Sequence, residues 1–202
     1  MAGYGLFLIL ATLTVLSPGP GVVLTLSNAL RHGWRGALPG IFGIASGAFI
    51  VAGICASSLG VILAASATAF TVLKYIGALY LLYLGIKMWR TQRFIPELKA
   101  TSPRPWRRFV EALSIQLLNP KAGFFFLAVF PQFIKPAGDY YSQFFWLVAS
   151  YGVLVVLVHS GYALMANGAR GWLSSSQGAR IVGKLSGITF LGFGVLMASA
   201  SK

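Results

Sequence analysis

The chain has 202 residues, 57% of them hydrophobic and only 9% charged, with a formal net charge of +13. An ordinary soluble domain carries about 25% charged residues, so this composition excludes a globular core under a charged surface and defines a polytopic membrane protein. An excess of basic residues also suits nucleic acid, but in a membrane protein charges gathered on one side report topology, and no nucleic-acid partner is expected.

A membrane crossing needs about 20 mostly apolar residues. Six stretches meet that length: 4–28, 37–63, 67–89, 110–134, 143–166 and 181–199. No positive residue precedes the first of them, and the first charge is Arg31, so the opening span is expected to remain as an uncleaved anchor. The single cysteine, Cys55, lies in the second stretch; it can form no intrachain disulfide and reads as a small buried residue.

The basic residues orient the spans. Arg31 and Arg35 follow span one; Lys87, Arg90, Arg93, Lys99, Arg104, Arg107 and Arg108 flank the link between spans three and four; Arg170, Arg180 and Lys184 flank the link between five and six. All twelve share one side if both termini face outward, leaving only Lys135 and Lys202 opposite. Cytoplasmic loops carry the Lys and Arg excess, which places both termini outside the cytoplasm. The expected organisation is residues 1–89 as a first three-helix repeat, 90–109 as a basic cytoplasmic link broken by Pro96, Pro103 and Pro105, and 110–202 as a second three-helix repeat. Three spans per half is an odd number, so similar halves insert with opposite topology, as inverted repeats.

Two helix-breaking motifs sit inside these spans: Ser17-Pro18-Gly19-Pro20 in span one and Leu118-Asn119-Pro120-Lys121 in span four. Pro18 and Pro120 lie 102 positions apart, so each half carries one interruption at a similar place. Proline within a helix removes a donor and clashes with the preceding turn at a cost of about 3 kcal/mol. Hydrocarbon offers no water to repair that loss, and broken helices persist there only against protein or a cavity. Paired breaks in corresponding halves therefore point to a transporter's binding site.

Ser17-Pro18 and Asn119-Pro120 both read as an N-cap followed by proline at the first helical position. A half-helix that starts near the bilayer centre presents unpaired N–H groups and a partial positive charge, which suit an anion. Gly19 and Gly21 permit close backbone approach, and Lys121 adds a full charge. A carboxylate-bearing solute suits these donors, and a bare cation does not. Lys121 has a structural reading beside the binding one, in which it donates to carbonyls freed by the break; the two are compatible. Gln116 and Asn119 either contact a polar substrate or tie helices together. Lys74 sits near the outer end of span three, within snorkelling reach of the interface. His159 is the only histidine inside a span and is able to exchange a proton near neutral pH, or to serve as a hydrogen-bonded packing residue. Gly36, Gly40, Gly43 and Gly47 fall on one helical face, where small residues let two membrane helices approach closely.

These motifs, with the glycine-rich run 33–47, Lys74-Tyr75-Ile76-Gly77-Ala78, Phe130-Pro131-Gln132-Phe133 and Gly192-Phe193-Gly194, give a chain that resembles the LysE/RhtB family of amino-acid exporters over essentially its whole length. The resemblance implies a multi-pass exporter of amino acids or related small metabolites in the cytoplasmic (inner) membrane, driven by proton antiport. One departure is Gly21, where many members carry an acidic or amide residue. The only acids are Glu97, Glu111 and Asp139, so Glu111, His159 and Lys74 are the polar candidates for coupling.

The sequence thus predicts an all-α membrane protein of six transmembrane helices in two inverted three-helix repeats, with helices one and four broken by proline motifs. Its substrate is expected between Ser17, Pro18, Gly19, Pro20 and Gly21 on one side and Gln116, Asn119, Pro120 and Lys121 on the other. No cofactor, metal site or enzymatic activity is expected: the chain has no zincin pattern, phosphate loop or nucleophile–base–acid set. Its partners are a small-molecule substrate and the lipid bilayer, and a homo-oligomer is left open. The competing readings are a divalent-cation exporter, which would want several carboxylate ligands, and a non-transporting membrane scaffold. For the topology, alkaline phosphatase fused after Lys202 is expected to be active, and green fluorescent protein at the same point dark; the reverse pattern would place the terminus inside.

Overall fold

The computed structural model describes residues 2–65, 67–90, 103–134 and 138–199. All regular structure among them is helical: α1 (Ala2–Leu16), α2 (Pro20–Ala65), α3 (Ala67–Trp89), α4 (Pro105–Leu117), α5 (Pro120–Phe124), α6 (Tyr140–Ser174) and α7 (Ser176–Ser199). Between α5 and α6 the chain widens into a π-helical turn, Phe125–Val129, then tightens into a 3-10 turn, Phe130–Phe133. Helices are the expected answer for apolar segments in hydrocarbon, because they satisfy every backbone group within the segment.

The element bounds refine the sequence reading. The third predicted span coincides with α3. The connector expected between spans one and two is instead a single residue, Gly33, at φ 70° and ψ 174° inside α2. Glycine adopts that positive φ without steric cost, so helix resumes immediately on the far side. Helix α4, in the stretch predicted as a fourth span, begins at Pro105, which draws Arg107 and Arg108 into it and out of the expected basic link. Most of that link falls on residues 91–102, outside the described residues, as do Lys135 and Lys202. Two helical stretches, Pro20–Ala56 and Tyr140–Ala166, are long and apolar enough to cross a membrane, and the bent pair Pro105–Leu117 and Pro120–Phe133 makes a third, broken by 51°.

α2 packs along α4 and α6, while α3 pairs with α7. Both contacts are made through glycines. An added Cβ at Gly43 would fall on the carbonyl oxygen of Phe109, one at Gly47 would lie 2.8 Å from the Gln116 Cβ, and one at Gly40 would lie 3.8 Å from the Ala112 Cβ. The predicted glycine face is therefore the seat of α4. Between α3 and α7, a Cβ at Gly187 would come within 2.9 Å of the Gly85 carbonyl. The interior beside α1 is aromatic: Phe7, Phe125, Phe126, Phe130 and Tyr151 interlock, with Phe126 and Tyr151 ring centroids 4.9 Å apart. Large apolar side chains such as Ile9, Ile54, Val153 and Leu157 point outward, a surface suited to lipid rather than water.

Because the Gly43 clash is with backbone, no rotamer change relieves it, and overpacking of this kind costs about 1–3 kcal/mol. Gly43→Ala is expected to lower the melting temperature of the detergent-solubilised protein, whereas Gly53→Ala, whose Cβ meets nothing within 4 Å, is expected not to.

Candidate functional site

The two proline motifs end and restart helices in different registers. At the second, Asn119 is the N-cap as expected: its Oδ1 accepts from the Lys121 amide at 3.1 Å and Pro120 opens α5. At the first, the expected Ser17-Pro18 cap pair is displaced to Gly19-Pro20. The Ser17 amide still donates to Leu13 O at 3.0 Å, which closes α1, and the first bond of α2 runs from the Val23 amide to Gly19 O, also at 3.0 Å. A cap would accept an amide of the new helix through its side chain, and the buried Ser17 Oγ has no hydrogen-bond partner among the described residues.

The carbonyls freed at the end of α1 are taken up by side chains from distant helices. Lys121 Nζ donates to Thr14 O at 3.0 Å and to Ser17 O at 2.7 Å. Tyr162 Oη donates to Leu16 O at 2.7 Å. A cation belongs at a helix C-terminus, where unpaired carbonyls and the helix dipole concentrate negative charge. The structural role foreseen for Lys121 is thus realised, and the two breaks meet at one ammonium group. Gly19 keeps that group accessible, since a Cβ there would lie 3.4 Å from Nζ.

Around this junction lies a cavity of about 20 Å³, room for about one water molecule and too little for an amino acid without rearrangement. Its polar lining is Gln116, Asn119, Lys121, Tyr151 and His159, its glycines are Gly19 and Gly21, and its apolar wall includes Val15, Val22, Ile44 and Val155. Asn119 Nδ2 donates to Gln116 Oε1 at 3.2 Å, orienting both amides. His159 Nδ1 shares a 2.7 Å hydrogen bond with Thr25 Oγ1. Gly21 opens the space beside that ring: a Cβ there would sit 3.5 Å from His159 Cε1 and 3.3 Å from Ile44 Cδ1.

The structure brings most of the predicted residues together, with different duties. Gly19, Gly21, Gln116, Asn119, Lys121 and His159 line the cavity. Ser17 contributes its carbonyl through Lys121, and Pro18, Pro20 and Pro120 shape the breaks without lining them. Glu111 is half-buried on α4 and outside the cavity; five residues before Gln116, it stands about 140° around the helix from it. Lys74 lies in α3, whose main partner is α7, and its side chain falls outside the described residues. Sequence reasoning missed Thr25 and Tyr151. Thr25 follows Gly21 by four residues, so it shares that face of α2. Among the described residues no group of three or more His, Cys, Asp or Glu gathers.

Apolar outer surfaces, spans broken at depth and a polar cavity at the junction of the breaks define a membrane transport protein. The sequence profile of the LysE type translocators matches residues 12–201, and the chain belongs to that family; it is a translocator, not an enzyme. It is 36% identical over 196 residues to the homoserine/homoserine lactone efflux protein of Salmonella typhimurium, covering 96% of this chain and 95% of that one. It is 34% identical to an uncharacterised membrane protein of Vibrio cholerae over 96% of this chain and 95% of that one, and 30% identical to another of Bacillus subtilis over 92% and 93%. No solved structure matches it.

An N-cap side chain is worth about 1 kcal/mol, and Asn119 also holds Gln116. Asn119→Ala is therefore expected to lower thermal stability by about that amount, with Asn119→Ser recovering most of it, as read by thermal unfolding in detergent.

Proposed function

We propose that this chain is a secondary exporter of small amino-acid metabolites of the homoserine class across the cytoplasmic membrane, coupled to proton entry. Its helices make six crossings with both termini outside: α1 with the first stretch of α2, the remainder of α2, α3, α4 with α5 and its continuation, α6, and α7. The two halves are inverted repeats, a reading supported by the meeting of the two breaks and by the pairing of α3 with α7.

The carrying observation is the Lys121 ammonium, held by two carbonyls of α1 at the edge of the cavity. An ammonium has three protons to donate, so one remains for a ligand. Homoserine offers a carboxylate to that donor, and its lactone offers a carbonyl oxygen. The amide pair Gln116 and Asn119, with Tyr151, supplies hydrogen bonds for the rest of the solute. The positive N-terminal end of α2 faces the same space and favours an anionic group. An intramembrane cation with no carboxylate among its partners is a functional group by default. His159 is the proposed proton carrier, since it lines the cavity on a hydroxyl partner and its exchange would alter the charge facing the substrate.

The test is efflux of homoserine and its lactone from cells, together with counterflow in proteoliposomes. Wild-type protein is expected to support both, with concentrative efflux abolished by a protonophore and counterflow retained. Lys121→Ala is expected to reach the membrane and lose at least about 90% of both activities, as for removal of a central charged contact. Undiminished counterflow by that variant would remove Lys121 from the site.

A further inference from the structure

Eight residues past Pro20 on α2 and eleven before Asn119 on α4 lies a second set of buried polar groups that the cavity does not use. Asn28 is fully buried, at 0% exposure, and among the described residues neither its Oδ1 nor its Nδ2 has a hydrogen-bond partner. Arg108 is 5% exposed, and its Nε has no partner among them either. Glu111, the acid one turn along α4, is half-buried and does not engage that nitrogen. The two heads lie against the same glycine face: a Cβ at Gly40 would be 2.8 Å from Asn28 Nδ2, and one at Gly36 would be 3.9 Å from Arg108 Nη1.

A buried polar atom left unpaired costs about 1–3 kcal/mol, and native structures hold few of them. A purely structural Asn28 would tie one helix to another, yet neither end of its amide ties anything. A purely topological Arg108 would lie in the aqueous link, yet it is buried. Their placement follows the helix faces that lead away from the central cavity. Gly21, Thr25 and Asn28 follow one face of α2, and Arg108, Ala112 and Gln116 form the buried face of α4. At 1.5 Å per residue, Asn28 stands about 12 Å from the first break and Arg108 about 16 Å from the second. In the topology proposed above this is the cytoplasmic side.

We propose that Asn28 and Arg108 form a second station for the carboxylate of the exported solute, loaded from the cytoplasm before the solute reaches Lys121. The guanidinium donates to one carboxylate oxygen and the Asn28 amide to the other, and the bond from the guanidinium is charge-assisted. The station rests on the exporter reading, but it makes a separate demand: it discriminates by carboxylate, whereas Lys121 accepts either a carboxylate or a carbonyl.

The experiment measures uptake of radiolabelled homoserine and homoserine lactone into inside-out membrane vesicles, where the cytoplasmic face is outermost. Arg108→Gln is expected to raise the KM for homoserine about tenfold, as for one lost charge-assisted hydrogen bond, and to leave the KM for the lactone unchanged. Arg108→Lys restores most of the homoserine affinity. Asn28→Ala repeats the selective shift and carries the test should Arg108→Gln fail to insert. Equal shifts for both solutes, or no shift for either, would overturn the station while leaving the Lys121→Ala result intact. A wild-type protein that takes up neither solute would overturn the exporter reading and the station with it.

Discussion

The architecture depends on one contact, the ammonium of Lys121 against the carbonyls of Thr14 and Ser17. A helix that stops in the middle of a bilayer leaves its last carbonyls with no water to accept from, and each such group costs several kcal/mol if left alone. A helix that starts there has the opposite problem. The second break brings a cation to the negative end of the first, while Asn119 caps an amide at its own. Tyr162 completes the arrangement at Leu16.

That contact needs two helices held at a fixed depth, and the glycine faces supply the fixation. Gly43 and Gly47 let α4 lie so close to α2 that its Phe109 carbonyl and the Gln116 stem occupy the space a methyl group would take. The register of α4 sets where Asn119 turns, and Asn119 sets where Lys121 points. In the same way, Gly21 leaves open the wall that would otherwise press on His159. Small residues thus do as much to build the cavity as the polar ones that line it.

Local features were the ones legible in the sequence. The Asn119-Pro120 cap could be read because a cap involves only its own turn. The first motif contains two prolines, hence two possible helix starts, and the choice of Gly19-Pro20 follows from where α1 ends, which no local rule decides. Apolar length located helical segments, two or three of them long and apolar enough to cross a membrane, but a composition argument has no means of seeing that one glycine at positive φ interrupts α2. Arg108 was counted with the topogenic charges because its burial depends on the glycines facing it from α2. Thr25 and Tyr151 are hydroxyl residues in apolar helices, and only the opposing helix tells a cavity wall from a packed core.

The π-helical turn Phe125–Val129 carries a consequence of its own. Such a turn amounts to one residue inserted into an α-helix, and one residue corresponds to about 100° of rotation. Phe130, which faces Phe7, Phe126 and Phe144 across the interior, would be swung well away from that interior if the segment wound as an ordinary α-helix. The aromatic wall beside the cavity is therefore set by the number of residues between Pro120 and Phe130 as much as by their identity. Changes in length there would be tolerated far less than changes in side chain.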